Sequence, residues 1–282
     1  MKIPKSLESL IADGLIDDVL HPLKSGKEAS VYVVRCGGEI RCAKVYKEAG
    51  KRSFHKLAEY QEGRKVRSSR RARAMAKGSR FGRGEQESAW QNAEVEALYR
   101  LAAAGVRVPQ PFLFCDGVLL MELILAADGS AAPRLNDVLE LTPQQAVEFH
   151  QFLLAQVVLM LCAGLVHGDL SEFNILLGPD GPVIIDLPQA VDAAGNNNAQ
   201  RLFERDVDNL ANYFGRFEPS LIGTGYAGEI WQLYERGELK AGVQLTGRYE
   251  RDESAADVEA VLREIDAARE AAERRKAEIS EE

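Results

Sequence analysis

Leu165-Val166-His167-Gly168-Asp169-Leu170-Ser171-Glu172-Phe173-Asn174-Ile175-Leu176-Leu177, followed by Val183-Ile184-Ile185-Asp186, carries the strongest signal in this chain. Asp169 and Asn174 stand five positions apart, and Asp186 follows twelve later at the end of an apolar run. The residue types suit one chemistry. A carboxylate can accept or orient a hydroxyl proton, while an amide oxygen and a second carboxylate offer hard oxygen ligands to magnesium on a triphosphate. Each residue taken singly also fits a structural role, His-Gly-Asp as an Asx-type turn and Asn174 as an element boundary. Their joint spacing, between an apolar helix and an apolar strand, points to a nucleotide-phosphate site.

The surrounding pattern is that of a globular chain. A 282-residue length permits one large domain or two lobes, and 46% hydrophobic with 28% charged residues is ordinary for a soluble protein. The longest apolar run, Val157 to Val166 with Gly164 allowed, is too short to cross a bilayer. Met1-Lys2-Ile3-Pro4-Lys5-Ser6 lacks an apolar signal region, so the expected location is cytoplasmic, with no membrane partner. Cys36, Cys42, Cys115 and Cys162 have no metal-type spacing and read as reduced, packed thiols. The net charge of −8 is uneven: from Lys51 to Arg83 twelve Lys and Arg face only Glu59 and Glu62, so that segment carries +10 and the remainder −18. Such a block is either an arm for an anionic partner, nucleic acid first, or a solvated insert with no partner.

The order of elements is β-rich first and helical second. Residues 1–20 read as an N-terminal helical segment, with Gly14 separating two short helices between Ser6 and Leu20. Residues 21–124 read as a β-rich lobe. Val31-Tyr32-Val33-Val34 and Ile40-Arg41-Cys42-Ala43-Lys44-Val45-Tyr46 flank Gly37-Gly38 as one hairpin, and Asp116-Gly117 turns a second. A flexible basic insert lies near 62–86, and a helix resumes near Ser88 with Trp90, Ala93, Ala97, Leu98 and Leu101 on one face. Residues 125–250 read as a helical lobe, with helices at Pro143 to Leu161 and about Leu202 to Phe214. Residues 251–282 read as a charged C-terminal helix. The fold class is therefore α+β, two-lobed and kinase-like, with a nucleotide in the cleft between lobes.

That architecture asks the first lobe for a phosphate cover and an ammonium. Gly26, Lys27 and Ser30 lie at the first β-turn, where backbone amides and short donors can reach phosphate oxygens. Ala43-Lys44 stands where kinases carry the lysine of V-A-I-K. A lysine between Ala43 and Val45 is costly to bury unless paired, and both Glu94 and Glu96 could pair it. Glu94 shares a helix face with Trp90 and Leu98 and is preferred. Met121, Glu122 and Ile124 lead out of the second hairpin as a hinge. Backbone groups there would take adenine, and Met121 would pack behind it.

With these residues in place the chain resembles the RIO family of atypical protein kinases, nearest its first branch. The resemblance rests on Ser25-Gly26-Lys27-Glu28-Ala29, Ala43-Lys44-Val45-Tyr46, Ala104-Gly105-Val106-Arg107-Val108-Pro109-Gln110-Pro111, the His167 loop, Ile185-Asp186-Leu187-Pro188-Gln189-Ala190-Val191 and Arg205-Asp206-Val207-Asp208-Asn209-Leu210. It spans about Leu10 to Phe217. It implies a compact kinase fold without an activation segment, ATP with Mg2+ or Mn2+, and serine phosphorylation of a protein or of itself. It further implies an ATPase switch in maturation of the small ribosomal subunit. By the same resemblance Lys44 pairs the phosphates and Glu94 holds Lys44. Asp169 is the catalytic carboxylate, Asn174 and Asp186 hold metal, and Asp206 braces the catalytic loop. Pro188 stands where the Gly of D-F-G would be. From its local charge of +10, the basic 51–83 segment is the expected contact for ribosomal RNA, and Ser68, Ser69 or Ser79 the expected autophosphorylation site.

Two other readings share parts of this pattern. A small-molecule kinase of the aminoglycoside-phosphotransferase type has the same His-Gly-Asp loop, but the Gly26 turn and Asp186-Leu187-Pro188-Gln189-Ala190 favour the RIO type. A ribosome-assembly factor with little turnover would use ATP as a conformational ligand.

Overall fold

Gly14, at a φ of 71°, ends the first helix in a left-handed turn, and a strand comes next. The computed structural model of the chain describes residues 3–26, 29–47 and 80–249. Helix α1 spans Lys5–Ala12 and buries Leu7 and Leu10. The expected second helix before Leu20 is not formed. The Leu15 and Ile16 amides both return to the Leu10 carbonyl, and the Asp17 amide donates to the Arg35 carbonyl at 2.8 Å, which starts a ladder. Strand β1 (Asp18–Ser25) then pairs antiparallel with β2 (Ala29–Cys36), placing Val19 opposite Val34. Ile16 and Val19 are both buried at a spacing of three, which imitates a helical face across a turn and a strand. Pro22 is tolerated within β1 because that strand is the sheet edge.

The two hairpins form as their dipeptides predict. Gly37 and Gly38 take positive φ between β2 and β3 (Glu39–Tyr46). Helix α2 (Arg80–Ala103) begins at Arg80, ahead of the expected start near Ser88. Asp116 and Gly117, also at positive φ, join β4 (Pro111–Cys115) to β5 (Val118–Glu122). The result is a five-stranded antiparallel sheet in the order β1-β2-β3-β5-β4. Strand alternation divides its faces. Val34, Ala43, Val45, Val118 and Leu120 pack on α1 residues Leu7 and Leu10. Lys44, with Val31 and Leu119 as its cross-strand partners, faces the other way.

The second half is mostly helical. Thr142 and Gln145 form a reciprocal capping box at the start of α3 (Pro143–Cys162). That helix is long and apolar enough, by length and composition alone, to cross a membrane. In the fold its apolar face is core, with Leu153, Leu154, Val157, Val158 and Leu161 buried. After α3 come β6 (Leu165–Val166), β7 (Ile175–Gly178), β8 (Gly181–Ile184) and β9 (Val191–Asp192), paired as the ribbons β6–β9 and β7–β8. Helices α4 (Ala199–Phe214) and α5 (Tyr226–Glu235) close the core around Phe203, Phe214 and Trp231. Cys36 and Cys42 are buried as expected, whereas Cys162, at the end of α3, is exposed. Lys27, most of the basic 51–83 segment with Ser68, Ser69 and Ser79, and the helix expected over 251–282 lie outside the described residues.

His150 on α3 is fully buried, with its ring against Phe214 and Tyr226. Among the described residues neither ring nitrogen has a hydrogen-bond partner, and burial pushes its pKa down to about 4. A histidine whose folded pKa lies below its unfolded value contributes stability above the unfolded pKa and loses it as pH falls toward 4. Between pH 8 and pH 5 this one group should cost about 2 kcal/mol of unfolding free energy. Chemical denaturation at both pH values should show that loss in the native chain, and His150→Leu should show a smaller one. Equal pH dependence in the two proteins would contradict the assignment.

Candidate active site

Lys44 is delivered by β3 to the sheet face opposite α1, and α2 supplies its partner. The Lys44 ammonium is bonded to Glu94 Oε1 and lies 3.3 Å from Asp186 Oδ1. Glu94 is the pairing carboxylate, as its helix face predicts; Glu96 is exposed. The Tyr46 hydroxyl donates to Glu94 Oε2 at 2.8 Å, so both carboxylate oxygens are engaged. Lys44 and Glu94 are 14% and 5% exposed, which rules out a solvent-facing lysine. Burial acts to lower the Lys44 pKa, but Glu94 and Asp186 more than offset it, and the net shift is upward. The group is a fixed cation.

The loop that carries His167 and Asp169 hangs from α4. Asp206 accepts the Gly168 amide at 2.7 Å and the Leu170 amide at 2.9 Å, clasping the backbone on both sides of Asp169. Arg205 donates to the Gly168 carbonyl, and Asn209 Nδ2 to the Leu170 carbonyl at 2.9 Å. Burial pushes the Asp206 pKa up to about 7, against the pull of the two amides. His167 is buried and its pKa is lowered by that burial. Its Nδ1 accepts the Asp169 amide, so the neutral ring carries its proton on Nε2 and donates it to the Ile185 carbonyl at 3.1 Å. Asp169 itself is held through Oδ2 by Asn174 Nδ2 at 3.4 Å and Gln189 Nε2 at 3.3 Å.

Asp186 comes after β8 with a φ of 68°, a left-handed conformation that a non-glycine residue seldom takes. The Ile185 amide donates to the Asn174 carbonyl at 2.9 Å, which ties Asp186 to the loop. Burial acts to raise the Asp186 pKa, but Lys44 outweighs it, and the carboxyl is held below its usual range. Asn174 spends its Nδ2 on the Asp169 carbonyl at 2.8 Å, which leaves Oδ1 as an oxygen ligand. Asn174 and Asp186 thus present hard oxygen donors, fit for a divalent cation. Among the described residues no group of three or more His, Cys, Asp or Glu could hold a metal. A cation here must draw further ligands from substrate and water, the usual state of protein-bound Mg2+.

A cleft of about 420 Å³ runs from Gly26, Ala29 and Val31 past Lys44 to Asp186, with Met121, Glu122 and Ile124 along its far wall. Asp169 and Asn174 lie outside its lining, joined to it through Ile185 and Asp186. Gly26 is at the rim; its amide bonds the Ala29 carbonyl at 2.9 Å. Ser30 is not brought to the cleft. It pairs with Val45, on the α1 face of the sheet, and its hydroxyl lies 3.0 Å from that of Ser25. The Glu122 side chain takes the same parity. Its backbone lies at the cleft while its carboxylate forms a two-point pair with Arg107. The Glu122 amide donates to the Gln110 carbonyl and the Ile124 carbonyl accepts from Ala132.

Tyr46, Gln189 and Arg107 stand within the quoted motifs, but spacing assigned them no role. Tyr46 was detectable, because a residue two beyond Lys44 on a strand shares its face. Gln189 and Arg107 were not, because each meets its partner across a distant loop.

A family profile described as the RIO domain matches residues 30–224. The chain is 35% identical over 217 residues to the RIO-type serine/threonine-protein kinase Rio1 of Haloferax volcanii, covering 75% of this chain and 68% of that protein. Similarity to the protein of the same name from Methanocaldococcus jannaschii is 31% over 215 residues, with the same coverage of 75% and 68%. The human serine/threonine-protein kinase RIO1 is 30% identical over 218 residues, 77% of this chain but 36% of the human protein. The chain therefore spans about two thirds of the length of these archaeal relatives and about a third of the human one.

The Lys44–Glu94 pair should behave as one unit. Lys44→Met or Glu94→Gln should each cost about 3–5 kcal/mol of stability, because each leaves a charge or an acceptor buried without its partner. The double variant should be little worse than the more damaged single one. A double-mutant cycle by urea unfolding reads the coupling, and full additivity would refute it.

Proposed function

Because the chain belongs to the RIO family, nearest its Rio1 branch, we propose that it is an ATP-dependent serine/threonine protein kinase of the RIO type, phosphorylating a protein hydroxyl or its own. The observation that carries this reading is the Lys44 ammonium held between Glu94 and Asp186 at the end of a nucleotide-sized cleft. Bound ATP with Mg2+, or Mn2+ in its place, supplies the phosphoryl group. Lys44 fixes phosphate oxygens through a charge that does not titrate near neutral pH. Asn174 Oδ1 and Asp186 hold the metal. Asp169 has Oδ2 restrained by Asn174 and Gln189, so Oδ1 is the atom left to orient and deprotonate the acceptor hydroxyl. At the hinge, the Glu122 carbonyl and the Ile124 amide would take the adenine edge, since the Glu122 amide and Ile124 carbonyl are already used within the protein.

The two carboxylates separate by experiment. Asp186→Ala should weaken Mg-dependent ATP binding at least about tenfold, by removing the one charged metal ligand. Asp169→Asn should leave ATP affinity within about twofold and lower phosphoryl transfer by about 10²–10⁴. ATP titration and single-turnover phosphorylation measure the two quantities. Equal loss of binding in both variants would show that the roles are misassigned.

The basic 51–83 segment supports a second layer of the proposal, a contact with ribosomal RNA on the small subunit during an ATPase-linked maturation step. Its +10 within a chain of −8 is the supporting observation. RNA affinity should fall steeply with salt, with a log–log slope of about −0.7 per neutralised phosphate on single strands. A neutral linker replacing 51–83 should abolish that slope and spare ATP binding. Unchanged RNA affinity at two salt concentrations would refute the arm.

A further inference from the structure

Arg107 stands in the loop between α2 and β4 and is bonded in three directions. Its amide donates to Gln156 Oε1 on α3 at 2.7 Å. Its carbonyl accepts the Ile184 amide of β8 at 3.0 Å, two residues before Asp186. Its guanidinium reaches the hinge: Nη1 donates to Glu122 Oε2 at 2.8 Å and Nη2 to Glu122 Oε1 at 2.9 Å, while Nη1 also lies 3.2 Å from the Val108 carbonyl. Glu122 Oε2 further accepts the Gln110 amide at 3.1 Å. An isolated, partly exposed ion pair contributes little. This one is bidentate, shares its acceptor with a backbone amide, and has one partner anchored by its own backbone to two elements of the second lobe. Such geometry restrains position as well as charge.

We propose that the Arg107–Glu122 pair is a positioning clamp that fixes the base-binding hinge relative to Asp186 and thereby sets discrimination for adenine over guanine. The inference rests on the nucleotide reading above and adds residues to it. Arg107 is bonded both to the hinge side chain and to the strand that ends at the metal-binding carboxylate. A hinge held in place presents the Glu122 carbonyl at a defined position. There it can accept from the adenine amino group and meets the guanine oxygen as acceptor against acceptor. A hinge free to shift relieves that repulsion and loses the adenine contact.

The test is nucleotide binding by the full chain with Mg2+, using fluorescent ATP and GTP analogues, alongside thermal melting. Arg107→Met and Glu122→Gln should each weaken ATP binding about tenfold and GTP binding less than about threefold, so the ATP-to-GTP ratio narrows. The double variant should match the single ones, because the pair acts jointly. Arg107→Lys keeps the stem and one donor. It should melt near the native temperature with a smaller loss of discrimination, which preserves the test should the other variants not fold. A lowered melting temperature with an unchanged ATP-to-GTP ratio would make the pair a plain strut and overturn the clamp. If the native chain binds ATP and every variant binds it equally, the clamp alone fails. If the native chain binds neither nucleotide, the nucleotide reading fails and the clamp with it.

Discussion

A lysine ammonium buried in the middle of a sheet is the constraint around which this molecule is arranged. Lys44 lies between Ala43 and Val45, both core residues, and an unpaired charge there would cost many times what a single side chain returns. Two carboxylates from far-apart segments must therefore converge on it: Glu94 from α2 and Asp186 from beyond β8. Meeting that requirement docks α2 on the sheet and brings the second half of the chain against the first. A charge that stabilises the fold only when paired is also a cation lining the cleft, so one buried ammonium both ties the two halves together and gives the cleft its fixed positive charge.

The other end of the site is ordered from behind. Only residues 187–198 lie between Asp186 and α4, too few for a long activation segment. Rigidity comes instead from α4, where Asp206, Arg205 and Asn209 hold the backbone of Gly168 and Leu170. Asp169 is thus positioned by its neighbours' main chain, and its side chain by Asn174 and Gln189. Such an arrangement needs no flipping segment, in keeping with Pro188, whose fixed φ stiffens the chain two residues after Asp186.

Strand parity explains several departures from expectation at once. Residues 30, 41, 43, 45, 118, 120 and 122 share the α1 face, while 29, 31, 42, 44, 119 and 121 share the cleft face. Ser30 therefore meets Ser25 rather than the cleft, and Glu122 meets Arg107 while its backbone borders the cleft. The same alternation puts Tyr46 beside Glu94.

Local patterns were enough for the two glycine-turned hairpins, the long apolar helix, and the spacing that marks Asp169, Asn174 and Asp186. Each is set by interactions within a few residues: positive φ at Gly37-Gly38, a capping box at Thr142, an apolar period along α3. Glu94 was also within reach, because a helix face is a local property. The strand after Gly14 was not, because two apolar residues three apart suit a helix or a turn entering a strand. The choice fell to pairing with β2, residues that come later in the chain. Nor could spacing place Gln189 on Asp169, or Arg107 between Glu122, Gln156 and Ile184. Those bonds join segments 15 to 77 residues apart, and only the folded backbone brings their donors within 3.3 Å of an acceptor.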